Sequence, residues 1–210
     1  GSMISYIDAQ HLIASYLVTT TNITFSDMNA AIDTVEIGNV MADFSSRGPN
    51  KASYDIIKPD ITAPGVKILA ATTNTPMFGE NGSTFAYLQG TSMSSPHIAG
   101  LAALFKDSNP EWSPSQIKSA LMTTARQNLT KEDGTTLADP FDFGAGHAVP
   151  VDALNPGLVY SANYNDYLAF LCGIGNEAYV AGTGSDCSTL SDAGFSTEPS
   201  QLNIASIGIA

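Results

Sequence analysis

The chain has 210 residues, 43% of them hydrophobic, enough to bury the core of one generous domain. Twenty acidic against eight basic side chains set a formal charge of -12 with only 13% of residues charged. That balance excludes nucleic acid as a partner, because phosphates call for clustered Lys and Arg, and the longest apolar run, Ile98 to Phe105, is far below the ~20 residues needed to cross a bilayer.

Taken in chain order, Gly1-Ser2-Met3 reads as a cloning scar ahead of an internal Ile4. Ala9, Leu12, Ile13 and Tyr16 recur at helical spacing and predict a short amphipathic helix over Asp8 to Tyr16, ended by polar Thr19 to Asn22. Alternating and β-branched residues between Ile32 and Phe44 predict strands, closed by turn chemistry at Ser45 to Pro49. Ile56 to Gly65 and Val66 to Ala71 read as short extended segments parted by the Pro64-Gly65 turn. Phe85 to Leu88 is a strand that feeds into Gly90.

From Ser92 to Phe105 the residues are apolar nearly all round, which predicts a buried helix, with Pro96 tolerated near its first turn. Ser113-Pro114-Ser115-Gln116 then carries a cap, a proline at the first helical position and a capping box, so a second helix should run to about Ala125. Strands followed by helices indicate an α/β domain with a mostly parallel sheet around a central buried helix. Beyond Phe141 to His147 the chain becomes rich in Gly, Ser and Asn, a wrapping extension with one helix near Tyr164 to Leu171. Cys172 and Cys187 lie in loop-like sequence, where they pair in an oxidising compartment or stay as thiols in a cytosolic one. The sequons at Asn22, Asn81 and Asn128 fit secretion and also arise by chance. Gln201 to Ala210 alternates with period two and has no partner strand, so the chain reads as a piece of a longer protein, incomplete at both ends.

Chemistry concentrates in Gly90-Thr91-Ser92-Met93-Ser94-Ser95-Pro96-His97. A serine where a strand passes into a helix can act as a nucleophile. The unpaired amides and positive dipole end there stabilise an oxyanion, and the Ser92 N–H is itself a donor. The bland alternative is a helix-capping serine. An α/β-hydrolase elbow requires G-x-S-x-G, and Ser94 occupies the position of the second glycine.

These eight residues resemble the serine signature of the subtilisin-like proteases (subtilases), and other segments extend the likeness in the order seen in plant-type subtilases: Phe44 to Pro49, Lys58 to Gly65, Trp112 to Pro114, Leu121 to Ala125, Phe143 to His147, Leu154 to Tyr160 and Phe170 to Cys172. The resemblance implies that residues 4–20 are the tail of an inserted protease-associated domain. Residues 21–160 would be the C-terminal part of a three-layer catalytic domain, 161–200 its wrapping extension, and 201–210 the first strand of a fibronectin-III-like domain. It also implies a secreted, extracellular serine endopeptidase acting on polypeptide substrates, with Ser92 as nucleophile and the Ser92 amide as oxyanion donor.

The family's chain order is Asp, His, Ser, and neither upstream partner is recognisable. His11 lacks a following Gly, Asp33-Thr34-Val35 lacks the expected Gly, and none of Asn22, Asn50 or Asn81 can take the oxyanion role that the resemblance places upstream. The 210-residue chain alone is therefore expected to be inactive, and to self-associate or exchange segments because half of its sheet would be missing. His97, five residues past Ser92, is rotated by about 500° and raised by ~7.5 Å on a helix and reads as a packed structural histidine, as does His147. Met93 reads as packing, Arg47 as a loop-fixing guanidinium and Asp60 as a hydrogen-bonded structural acid. No zinc spacing and no EF-hand loop occur, so neither a cofactor nor a metal is expected. Two other readings stay open: a non-catalytic relative that keeps the scaffold for binding, and an esterase with His97 or His147 as base.

Overall fold

The computed structural model describes residues 38–75 and 82–206; the expected helix over Asp8 to Tyr16 and the 32–37 part of the strands expected between Ile32 and Phe44 lie outside them, and 38–44 forms no strand, only an isolated bridge at Val40. Two strands, β1 (Ile68–Ala71) and β2 (Phe85–Leu88), pair antiparallel with Ile68 opposite Leu88 and Ala71 opposite Phe85. The Thr72 N–H donates to the Thr84 carbonyl at 2.7 Å and closes the pair as a hairpin. Among the described residues this hairpin is the one sheet, and the mostly parallel sheet expected is not seen there. A direct hairpin return forces antiparallel pairing, whereas parallel strands need a crossover. Parallel pairing occurs among the described residues only as isolated bridges, Val40 to Thr130 and Thr62 to His147.

Helix α1 (Thr91–Ser108) follows β2 after two residues, and α2 (Pro114–Thr123) follows α1. The start of α2 matches the expectation. Ser113 Oγ accepts from the Gln116 N–H at 3.3 Å and the Gln116 side chain accepts from the Ser113 N–H at 2.8 Å, which satisfies two orphan amides reciprocally. Two single turns follow, α3 (Pro140–Phe143) and α4 (Pro150–Ala153). Phe105 of α1, Ile117 and Leu121 of α2 and Ala153 of α4 make the main core, flanked by Ile61, Ile98, Leu101 and Trp112. A second small core joins Met41, Leu129 and Phe143.

The central helix is not buried as the apolar pattern suggested. Among its residues only Phe105 is buried, Leu104 is 63% exposed, and Pro96, Ala99, Gly100 and Ala103 are exposed as well. The cause is one-sided packing: α2 and the Ile61 segment cover one flank, and no described layer covers the other. Pro96 also stands deeper than expected. With Thr91 first in the helix, it is the sixth residue, past the four positions whose amides are unpaired, so it withholds a donor from the Ser92 carbonyl.

The wrapping extension holds three helices rather than one: α5 (Tyr164–Gly173), α6 (Glu177–Gly182) and α7 (Cys187–Asp192). They pack around Leu168, Cys172, Val180 and Leu190, and Cys172 is disulfide-bonded to Cys187. Asp186 caps α7, and hydrogen bonds first from the Ser188 hydroxyl, then from Thr189, hold its carboxyl down at about 2. Two serines of α2 fasten the linker to this cluster: Ser119 Oγ accepts from the Tyr160 N–H at 2.8 Å and Ser115 Oγ from the Ala162 N–H at 3.1 Å. The strand expected over 201–210 does not form within the described 201–206. Gln201 ends a 3-10 turn begun at Pro199, and the Leu202 N–H folds back to the Pro199 carbonyl at 3.3 Å.

Candidate active site

Backbone conformation and close packing place the candidate nucleophile. Gly90, between β2 and α1, takes φ 150°, a region that side-chain-bearing residues rarely enter, and so turns the chain sharply from strand into helix. Its N–H donates to the Gly65 carbonyl at 2.8 Å, and Ser94 Oγ donates to the Ala63 carbonyl at 2.9 Å. The segment from Ala63 to Gly65 is thus strapped against the first turn of α1. A Cβ on Gly65 would fall 2.4 Å from Ser94 Oγ and 2.9 Å from the Gly90 carbonyl oxygen.

Gly90, not Ser92, occupies the capping position, which removes the bland reading of Ser92 as a helix cap. Ser92 is the second helical residue and is exposed. Among the described residues no hydrogen bond engages its hydroxyl, and its N–H is one of the four amides that a helix cannot satisfy internally. A free hydroxyl beside unpaired amides at the positive end of an 18-residue helix can attack a carbonyl carbon and receive the resulting oxyanion.

Neither histidine joins this serine by a hydrogen bond among the described residues. His97 is exposed, which corrects its expected packing: Nδ1 lies 2.7 Å from the Met93 carbonyl of its own helix. A carbonyl only accepts, so Nδ1 carries the proton. His147 Nδ1 similarly donates to the Ala148 carbonyl at 3.0 Å, and its backbone bonds Arg126 in both directions at 2.8 Å. His147 therefore belongs to the joint that holds residues 143–148 against Asp60 and Thr62, with the Ala145 N–H donating to the Asp60 carbonyl at 2.9 Å. His11, Asp33, Asn22 and Asn81 lie outside the described residues. Asn50 Oδ1 accepts from the Ala52 N–H at 3.1 Å in a turn. Met93 is half-buried beside Gly90.

The two structural ionic expectations are met. Arg47 reaches Asp142 Oδ1 and Glu132 Oε2, both at 3.0 Å, and fixes the loops that carry them. Burial pushes the Asp142 carboxyl up, but the Asp139 amide, Lys131 and Arg47 outweigh it and the pKa is lowered. Asp60 is likewise pushed up by burial and brought below the usual range by Lys118 and Lys58, whose ammonium groups lie 2.6 and 2.5 Å away. A cavity of about 560 Å³ between α1 and α2, lined by Ile61, Ile98, Ala102, Trp112, Ile117 and Leu121 among others, escaped sequence reading. Ile98 and Ala102 face it two to three turns along α1 from Ser92, so it is a separate feature. No group of His, Cys, Asp and Glu suited to a metal occurs among the described residues, and no described helix is long and apolar enough to cross a membrane.

Because the Gly65 contact sets where α1 begins, Gly65→Ala should lower the kcat of any reaction that runs through Ser92 by about 10²-fold, the usual cost of misplacing a reacting group by ~1 Å. Unchanged kcat with an intact fold by circular dichroism would refute this positioning.

Comparison with known proteins adds the following. The family model described as the Subtilase family matches residues 16–146. Subtilisin-like protease SBT4.9 of Arabidopsis thaliana is 49% identical over 158 residues, covering 70% of this chain and 22% of the relative. Subtilisin-like protease SBT1.7 of the same plant is 46% identical over 182 residues, 79% of this chain and 24% of the relative. A Glycine max subtilisin-like protease, Glyma18g48580, is 51% identical over 150 residues, 66% and 19%. Among solved structures, fervidolysin from Fervidobacterium pennivorans, a keratinolytic enzyme related to subtilisin, aligns at 30% identity with a TM-score of 0.34, covering 46% of this chain and 15% of that one. The chain thus spans about a fifth to a quarter of the length of these curated relatives.

Proposed function

The chain belongs to the subtilase family, and from that premise we propose that its parent is a secreted serine endopeptidase in which Ser92 is the nucleophile. One observation carries the reading: an exposed, unengaged hydroxyl on the second residue of α1, beside amides with no helical acceptor. Ser92 Oγ attacks the scissile carbonyl carbon while a histidine of the parent, outside this chain, takes its proton. The Ser92 N–H donates to the oxygen as negative charge gathers there. Collapse of the tetrahedral intermediate breaks the C–N bond, the amine leaves with the proton from histidine, and water then releases the acyl group by the same steps.

A fluorophosphonate probe tests this. The parent protein should be labelled at Ser92 and the isolated 210-residue chain should not, since the general base is missing. Equal labelling of the two would contradict the missing base, and an unlabelled, folded parent would leave a non-catalytic relative.

The finer architecture belongs to the same proposal. The exposed stripe Pro96, Ala99, Gly100, Ala103 and Leu104 is the face of α1 that a parallel sheet would cover in the complete domain. The tail of a protease-associated domain over 4–20 and the start of a fibronectin-III-like domain over 201–210 are proposed on the resemblance. Cut off from those layers, the 210-residue chain should self-associate or exchange segments at micromolar concentration. A single sharp monomer boundary in sedimentation velocity would count against that.

A further inference from the structure

Of the three sequons, only Asn128-Leu129-Thr130 lies wholly within the described residues. Asn128 is exposed, and among the described residues its carboxamide makes no hydrogen bond. It sits in a short stretch of neither helix nor strand between the bridge residues Arg126 and Thr130. Its neighbour Leu129 is 2% exposed and packs with Met41 and Phe143. The Leu129 N–H donates to the Gln127 carbonyl at 2.9 Å, a three-residue turn with Asn128 at its centre, and the Asn128 side chain stands exposed while that of Leu129 is buried.

The backbone on the far side is held independently of that carboxamide. The Thr130 N–H donates to the Asn39 carbonyl at 2.9 Å, the Met41 N–H donates to the Thr130 carbonyl at 2.8 Å, and the Ala138 N–H donates to the Leu129 carbonyl at 3.0 Å. A bulky group on Asn128 therefore breaks no described contact. The residues at the second position and after the third, Leu129 and Lys131, are not proline. The Cys172–Cys187 disulfide is of the kind that forms in an oxidising compartment, in keeping with the secretory reading.

We propose that Asn128 is an acceptor for N-linked oligosaccharide, an inference that rests on the secretory reading above. The donor is an oligosaccharide carried on a lipid diphosphate. Asn128 Nδ2 forms a bond to the anomeric carbon as the glycosyl–phosphate C–O bond breaks. The lipid diphosphate departs with that electron pair, and the proton lost from Nδ2 goes to base. The product places a large, hydrated group beside the exposed 131–137 loop.

The test uses the parent protein purified from the cells that make it. Free thiols are alkylated before reduction, and the protein is cut after glutamate. Cleavage after Glu111 and Glu132 releases residues 112–132, which carry a single sequon, while Asn81 and Asn22 fall on other peptides. Treatment with peptide N-glycosidase in heavy-oxygen water should convert Asn128 to labelled Asp, and the untreated peptide should be missing at its unmodified mass. Asn128→Gln should remove the mark, and Thr130→Ser, which keeps the hydroxyl, should retain it. Full recovery of the unmodified peptide with Cys172 and Cys187 still bonded would overturn the site alone. The same recovery with both thiols free would overturn the secretory reading and the site with it.

Discussion

Replacing Ser92 by Ala in the parent protein should lower kcat for peptide hydrolysis by about 10⁶ and abolish fluorophosphonate labelling; this magnitude was measured on subtilisin itself, where removing the nucleophile alone costs about as much as removing the whole triad. Stability should change by less than ~0.5 kcal/mol, as for surface substitutions away from caps and cores. The two readouts together separate chemistry from folding. Ser92 is exposed, caps nothing, and among the described residues gives no hydrogen bond whose loss would matter to the fold. A large fall in melting temperature would show Ser92 to be structural after all. A kcat within tenfold of the wild type would remove it from the reaction. His97→Ala serves as a control in the same helix, because His97 Nδ1 is committed to the Met93 carbonyl and its change should leave kcat near normal.

What the sequence revealed was what local chemistry decides. Ser113-Pro114-Ser115-Gln116 specifies its own helix start, because the partners of the capping box lie three residues apart and need nothing distant. The step from β2 into α1 was legible for the same reason, since a strand pattern, a glycine and an apolar helical pattern follow one another without a break. The exposure of α1 was not legible. Periodicity reports that a face is apolar, and only tertiary neighbours decide whether anything covers it. Helices α6 and α7 span six residues each, too few for a period to show, although Asp186 with Thr189 offered a capping signal that could have found the second. The direction of strand pairing also escaped, because it depends on whether residues 72–84 return directly or cross over. At the site, the sequence pointed to Ser92 and to Arg47 as a loop clamp. It could not supply the Gly65 contact, which brings together segments distant along the chain.

The covalent link between Cys172 and Cys187 should account for most of the stability of the C-terminal helical cluster. Helices of ten, six and six residues are too short to persist alone in water, and the small core they share has Leu168, Val180 and Leu190 buried beside Cys172. Units below ~40 residues usually need a staple of this kind. The two cysteines are separated by 15 residues, for which the chain-entropy model gives ~3 kcal/mol. Cys172→Ala with Cys187→Ala should therefore raise amide hydrogen exchange across 164–195 by about 10²-fold, since each ~1.4 kcal/mol is tenfold in an equilibrium constant. Exchange within α1 and α2 should hold, because the cluster is fastened to α2 through the backbone amides of Tyr160 and Ala162, which precede α5 and stay bonded to Ser119 and Ser115 when it opens. Ser92 should keep its kcat in the same variant, its hydroxyl being placed by Gly65, Gly90 and α1 alone. Equal acceleration of exchange in α1 would show instead that the cluster and the segment bearing Ser92 unfold as one cooperative unit, and unchanged exchange throughout would show that packing alone holds the three helices.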